Sequence, residues 1–460
     1  MGTRADTVVI FGITGDLAFK KLLPALYHLA LRGGLGVPVV GVARSRWEDG
    51  RLVATARKAV EEVRPDVDEP AFEELAGRLS MVSGDYADEG LYRRLAERLE
   101  GAEHPVFYLA VPPAVFGDAV DGLRAAGLAD RGRVVVEKPF GYDASSSRAL
   151  DDKLRSAFPA ERILRMDHYL GKEPVEGLLA LRFANAFFEP MWNREHIAKV
   201  EITLAEKFGT QGRAGFYDAA GAVRDVLQNH ALQIAALIAM EPPATAEQVQ
   251  EARVDALRHM RPLSLDTTVR GQYLGYQDEP GVAPGSTTET YVATRLSVDT
   301  ARWRGVPFVL RAGKNLRENA TDVVIGLRRP TGALFAGADS GSGSPEGNQL
   351  HLRLGRDDGL TFSLQVKSPG PDAVSRTVRV PLDLETVLGP RQEAYERLLD
   401  DAMRGRSDRF VDPRVIEEQW RIVGPLLDPE QAPLPYEPGG WGPAEAERLG
   451  VDAHPERSAP

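Results

Sequence analysis

The stretch Arg165-Met166-Asp167-His168-Tyr169-Leu170-Gly171-Lys172-Glu173 brings a carboxylate, an imidazole, a phenol and an ammonium together within six residues, 167–172. It follows the apolar pair Ile163-Leu164 and runs into Pro174 and an apolar helical pattern. A strand that ends in charged groups and opens a helix is where open α/β sheets hold their ligands. At a helix start the amide dipoles and the donors of His168, Tyr169 and Lys172 act on the same charge, which suits a phosphate dianion.

A second polar cluster, Arg224-Asp225-Val226-Leu227-Gln228-Asn229-His230, lies in a predicted helix over residues 222–240. Val223, Val226, Leu227, Ile234 and Leu237 recur at helical spacing, and His230 falls on the same stripe. A histidine there is either a satisfied core residue or a proton-transfer group; Asp225, Gln228 and Asn229 beside it favour the second reading. Of eight histidines, only His168 and His230 have the neighbours that proton transfer or phosphate binding needs. Three strand ends offer further charges: Glu137-Lys138-Pro139-Phe140-Gly141, Ala205-Glu206-Lys207-Phe208-Gly209 and Leu310-Arg311-Ala312-Gly313-Lys314. Taken singly, each reads better as the decoration of a turn than as a site.

Gly12-Ile13-Thr14-Gly15-Asp16-Leu17 follows the first apolar run and opens the first helix. Glycines here let the backbone approach a pyrophosphate held on free helix-start amides, although the spacing departs from G-x-G-x-x-G and a plain turn reads the same way. The next strand ends in Arg44-Ser45-Arg46. An acid at this place accepts the ribose hydroxyls of NAD; an arginine fits the 2′-phosphate of NADP, the alternative being a solvated basic turn.

These groups must be carried by a scaffold. Strands over 8–11, 37–42, 106–110 and 134–136 alternate with helices over 22–31, 51–63, 91–99 and 116–126, the pattern of a parallel sheet with right-handed crossovers. After Lys172 come a helix with Leu178, Leu179 and Phe183, a strand over 199–204 and the helix over 222–240. Strand-like runs follow over 269–274, 288–298, 308–310, 323–327, 351–354, 361–366 and 377–380, an α+β half with a large, mostly antiparallel sheet. Residues 337–348, rich in Gly and Ser, read as a surface loop, and the stretch from Pro433 as an extended tail. The expected division is a nucleotide-binding domain over 1–165, a substrate-binding and oligomerisation domain over 166–445, and a tail over 446–460. At 460 residues two domains are the default. The net charge of −11 argues against nucleic acid as a partner. The lack of cysteine excludes disulfides, thiolate nucleophiles and Cys-ligated metals, and no metal is expected. No apolar run approaches the ~20 residues of a membrane span. The expectation is a cytoplasmic protein without a membrane partner.

Taken in order, these motifs resemble the glucose-6-phosphate dehydrogenases: G-x-x-G-D-L, A-R-S, E-K-P-F-G, R-x-D-H-Y-L-G-K, a Glu shortly before F-G-T, R-D-V-x-Q-N-H and L-R-x-G-K. Leu181-Arg182-Phe183-Ala184-Asn185, Gly285-Ser286-Thr287-Thr288, Gly305-Val306-Pro307-Phe308 and Trp441-Gly442-Pro443 extend the likeness from about residue 8 to 449. The resemblance implies a Rossmann-type doubly wound domain followed by an α+β domain. It also implies oxidation of glucose 6-phosphate to the lactone with hydride transfer to NADP, the first oxidative step of the pentose phosphate pathway, with NAD as a weaker alternative. His230 would be the general base and Asp167 its orienting carboxylate. His168, Tyr169 and Lys172 would hold the phosphate; Lys138, Glu206, Asp225 and Lys314 would bind sugar hydroxyls, Lys138 also lying near the cofactor. Gly12, Ile13, Thr14, Gly15, Asp16, Leu17 and Arg44 would hold NADP. A homodimer or homotetramer through the C-terminal sheet is implied as well.

Some positions depart from the family pattern. Met166 replaces a branched aliphatic, Lys207 stands where a proline often follows the carboxylate, and Asn319-Ala320 occupy places that are basic in some relatives. The last departure argues against a second, structural NADP. Two rival readings remain: a relative acting on another sugar phosphate or using NAD, and an inactive NADP-binding regulator, which would lack the pair His230 and Asp167.

Overall fold

The computed structural model describes residues 3–210, 212–332, 334–337, 345–355, 357–427 and 431–450. Most of the Gly/Ser-rich stretch over 337–348 and the tail beyond residue 450 lie outside the described residues. The chain forms two compact units: Met1–Glu173 with Gln392–Ile416, and Pro174–Arg391 with Glu417–Pro460.

Short apolar runs build the sheet of the first unit: β1 (Thr7–Phe11), β2 (Val39–Ala43), β3 (Leu79–Ser83), β4 (Pro105–Leu109), β5 (Arg133–Glu137) and β6 (Ile163–Met166). All neighbours are parallel, in the order β3-β2-β1-β4-β5-β6, with the reversal of strand order between β1 and β4. β1, β2 and β4 are buried along their whole length, as strands covered by helices on both faces must be. β3 has no counterpart among the expected strands, since its Ser80 and Ser83 interrupt the apolar run. The returning segment also has no counterpart in the expected division at 165/166. Its helix Ala394–Arg404 adds Leu398, Leu399, Ala402 and Met403 to the core of this unit.

The second unit is built on a ten-stranded sheet. Its strands are β7 (Ile197–Ala205), β8 (Thr268–Tyr273), β9 (Tyr291–Leu296), β10 (Phe308–Gly313), β11 (Ala320–Leu327), β12 (Ala336–Gly337), β13 (Gln349–Arg353), β14 (Gly359–Lys367), β15 (Val374–Asp383) and β16 (Leu434–Tyr436). Their order is β12-β15-β14-β13-β11-β7-β10-β9-β8-β16; most pairs are antiparallel, while β7/β10, β12/β15 and β8/β16 are parallel. The stretch from Pro433 is therefore not a free tail: Leu434–Tyr436 joins the sheet beside β8. The helix expected over 222–240 forms in two parts, wide π-type turns over Val223–Ala231 and an α-helix over Leu232–Ala239, and the wide-turn part lies on β7 and β10. The wide turns break the 3.6-residue stripe: Val226 is only half-buried, and residues 227–240 are buried all round. Among the described residues no helix is long and apolar enough to cross a membrane.

Candidate active site

In the first unit the glycine turn sits at the end of β1, beside the reversal of strand order where doubly wound sheets bind ligands. Gly12 has φ +80°, and a Cβ there would fall 2.2 Å from the carbonyl oxygen of Ala110, so only glycine fits. Its N–H donates to Val42 O at 2.8 Å, which ties the turn to the end of β2. Ile13 is a packing residue: its side chain is buried, and a Cβ at Gly41 would fall 2.7 Å from its Cγ2. Any contact it makes with a ligand must come from its backbone. Thr14 and Gly15 lead into the helix, which starts at Asp16 and Leu17, with Phe19 N donating to Gly15 O at 3.0 Å. Arg44 stands exposed directly beyond β2, with its charge near the phenol of Tyr86. Open helix-start amides and a cation on the adjacent strand end fit a pyrophosphate and an added 2′-phosphate.

Glu137 pairs with Met166 across β5 and β6, so Lys138 and Asp167 emerge side by side at the same edge of the sheet. Asp167 is buried and caps the short helix His168–Gly171, accepting from Tyr169 N–H at 2.9 Å. Lys172 Nζ lies 3.6 Å from the centre of the Tyr169 ring. His168 stacks on Tyr395, ring centres 6.0 Å apart and planes at 17°. His168, Tyr169 and Lys172 are all half-buried. Behind them Glu137 accepts from the Tyr108 hydroxyl at 2.6 Å and is also bonded to Tyr395. Burial pushes its carboxyl up to about 7, against the pull of Tyr108, Lys138 and Tyr395. Met166 is wholly buried, with its sulfur 2.9 Å from the Tyr108 oxygen, so this departure is a change within the core.

The second unit holds the remaining candidates. β7 and β10 run parallel with Ala205 opposite Gly313, so Glu206 and Lys314 both leave the sheet at the same end. Their side chains form an ion pair, and Lys314 Nζ lies 4.9 Å from the centre of the buried Tyr217 ring. The phenol of Tyr217 is pushed well above its ordinary range, first by burial and then by the charges of Asp225 and Glu289. Asp225 thus faces the same corner from the first turn of the π segment. The turn at 206–208 is clasped by backbone bonds from Glu206 N to Gly313 O, from Leu316 N to Glu206 O and from Asn315 N to Phe208 O. Lys207 N–H donates to Asn319 Oδ1 at 2.8 Å, a bond that a proline at 207 could not make. The two departures of the sequence therefore engage one another. His230, 3% exposed, lies in the wide turns; Asn229 Nδ2 donates to the carbonyls of Arg224 and Asp225, and Asn229 Oδ1 accepts from His230 N at 2.5 Å. Such turns recur at functional sites, since they re-aim side chains within a helix.

The first unit holds Gly12–Leu17 with Arg44, and Lys138 with residues 167–172; the second holds Glu206 with Lys314 and Asp225, and also His230. Reading the residues alone gave no part to Glu137, Tyr108, Tyr395 or Tyr217, because each takes its place through contacts remote in sequence. Only Glu137, inside the Glu137–Gly141 motif, carried a local signal.

Residues 9–177 match the NAD-binding domain of glucose-6-phosphate dehydrogenase, and residues 179–456 match its C-terminal domain. The chain belongs to the glucose-6-phosphate dehydrogenase family. It is 43% identical over 450 residues to glucose-6-phosphate 1-dehydrogenase 1 of Mycobacterium tuberculosis, covering 97% of this chain and 95% of the relative. The glucose-6-phosphate 1-dehydrogenase of Rhizobium meliloti is 38% identical over 467 residues, covering 95% and 94%. Among solved structures of the family, the enzyme from Mycobacterium avium superposes with a TM-score of 0.90 at 43% identity over the full length of both chains. A glucose-6-phosphate dehydrogenase in complex with its substrate gives 0.89 at 32% identity, covering 98% of each chain. Both the parallel first sheet and the mostly antiparallel second sheet are those of the family.

Proposed function

We propose that this chain oxidises D-glucose 6-phosphate at C1 to 6-phospho-D-glucono-1,5-lactone, with NADP+ as the preferred acceptor. The observation that carries the reading is the chain-wide match to a family member in complex with its substrate, at 98% coverage of both chains. Bound NADP+ supplies the hydride acceptor, and the Gly12–Leu17 turn, Arg44 and Lys138 are the residues that would hold it.

Loss of hydride from C1 leaves positive character on that carbon unless the hydroxyl proton departs, so a positioned base is the main demand. His230 takes that proton, and Asp167 orients its imidazole and stabilises the imidazolium; such a base contributes about 10²–10⁴-fold. His168, Tyr169 and Lys172 bind the phosphate away from the reacting carbon and supply orientation. Lys138, Glu206, Asp225 and Lys314 meet the sugar hydroxyls; the Glu206–Lys314 pair offers an acceptor and donors side by side.

We also propose that copies of the chain associate through the second sheet. Leu364, Val366, Val378, Val380 and Leu382 are exposed, and the register of β14 and β15 sets Leu364 opposite Val378 and places all five on one face with Leu360 and Phe362. A contiguous apolar face of this kind marks an interaction surface.

The test follows the absorbance of reduced nicotinamide with glucose 6-phosphate, free glucose and other hexose phosphates, each with NADP+ or NAD+. Turnover that needs the 6-phosphate and favours NADP+ is expected. No turnover with glucose 6-phosphate, or faster turnover with another sugar phosphate, overturns the assignment.

A further inference from the structure

Arg397 sits on the helix Ala394–Arg404, which the first unit receives from far downstream of its sheet. Although only 9% exposed, it donates from Nη1 to the carbonyl of Gly171 at 2.7 Å, and its Nε lies 3.8 Å from the Glu173 carboxylate. It therefore engages the residue before Lys172 and faces the residue after it. The fit is close: a Cβ on Gly171 would fall 2.6 Å from Leu398 Cδ1 and 2.9 Å from Ala394 O. The same helix is anchored elsewhere by Glu396, which accepts from Arg32 at 2.9 Å.

The Gly171 carbonyl closes the short helix that carries His168 and Tyr169. Left uncompensated, its dipole would oppose an anion held by the residues on either side; a buried guanidinium at a helix C-terminus offsets it. The 3.6 Å placement of Lys172 over Tyr169 also depends on the backbone that joins them staying fixed. From the helix Ala394–Arg404, Arg397 reaches that backbone directly through its bond to the Gly171 carbonyl.

We propose that Arg397 is a positioning residue for recognition of the substrate phosphate: by holding the Gly171 carbonyl it sets the spacing of the Tyr169 and Lys172 donors without touching the substrate. This rests on the phosphate role of residues 168–172 proposed above.

The full-length protein and its Arg397→Gln, Arg397→Lys and Lys172→Ala variants are compared in kcat and KM for glucose 6-phosphate, in kcat/KM for free glucose, and in competitive inhibition by inorganic phosphate. For Arg397→Gln, KM for glucose 6-phosphate rises about tenfold, the worth of one charged hydrogen bond. Its kcat changes little, phosphate inhibits correspondingly less, and kcat/KM for free glucose is retained. Arg397→Lys falls between this variant and the parent. Parallel losses with both sugars, or an unchanged KM, overturn the inference. Should Arg397→Gln not fold, Arg397→Lys decides: one ammonium cannot serve Gly171 and Glu173 together, so KM rises about threefold, and an unchanged KM refutes the role. Lys172→Ala separates the two claims. If it leaves the preference for the phosphorylated sugar intact, the phosphate reading itself falls, and the inference falls with it; if it abolishes that preference while Arg397→Gln does not reduce it, only the inference falls.

Discussion

Replacing Glu137 by glutamine should make the protein more stable relative to wild type as pH rises, with a size set by the burial of one carboxyl. Glu137 is 7% exposed, and burial lifts it from 4.5 to about 7; the Asp167 charge acts in the same direction, while Tyr108, Lys138 and Tyr395 pull the other way. Between those two pH values the folded chain holds a proton that the unfolded chain has released. The contribution is therefore fully present below pH 4.5 and is lost as pH rises through about 7. Above that range both states are ionised, and the fold has lost roughly 3 kcal/mol at this position. Glutamine cannot ionise, yet it can still bond to Tyr108 and Tyr395. Urea unfolding of the wild type and Glu137→Gln near pH 5 and near pH 8, followed by a probe in the first unit, measures the difference. The variant should gain on the wild type by up to roughly 3 kcal/mol between the two conditions. A gap that stays the same at both pH values would refute the reasoning, since it would mean that Glu137 is ionised in the fold at the lower pH or shielded from the cost of burial.

Three other outcomes are expected. His230→Asn should lower kcat by about 10²–10⁴-fold while KM for glucose 6-phosphate changes little, checked by steady-state kinetics and substrate titration. Arg44→Ala should narrow the ratio of kcat/KM for NADP+ over NAD+ by about tenfold or more, the worth of a lost charged contact with the 2′-phosphate; an unmoved ratio would mean that the adenine ribose is read elsewhere. Leu364→Lys combined with Val380→Lys should shift the assembly towards monomer in analytical ultracentrifugation, because two charges on the apolar face of β14 and β15 cost more to bury than they return.

Much of the first unit was legible because its strands are short unbroken apolar runs. The segment 165–173 was legible because its chemistry is local: Asp167, His168, Tyr169 and Lys172 share one strand end and one helical turn. Glu137 was harder to place, since a glutamate at a strand end ordinarily faces water; only the partners Tyr108 and Tyr395 show why it is buried. The wide turns around His230 were hidden as well, because periodicity at 3.6 residues presupposes an α-helix, whereas Val223–Ala231 is wound more loosely. β16 was read as tail because Pro435 and the neighbouring prolines and glycines suggest loop; at the edge of the sheet, proline costs little. The membership of residues 392–416 in the first unit leaves no local mark, since it depends on Leu398, Leu399 and Phe410 meeting apolar residues from the other end of the chain.

That late contribution has a consequence for biosynthesis. A ribosome that has released Glu173 must still deliver everything up to Gln392 before the first unit can close its core. At ordinary elongation rates the interval is roughly ten to forty seconds. During it the seats awaiting Leu398, Leu399 and Met403 stay open as greasy clefts on the nascent chain. A fragment ended before residue 392 would keep them open permanently, so the nucleotide-binding half should precipitate when made alone, despite containing every strand of its sheet.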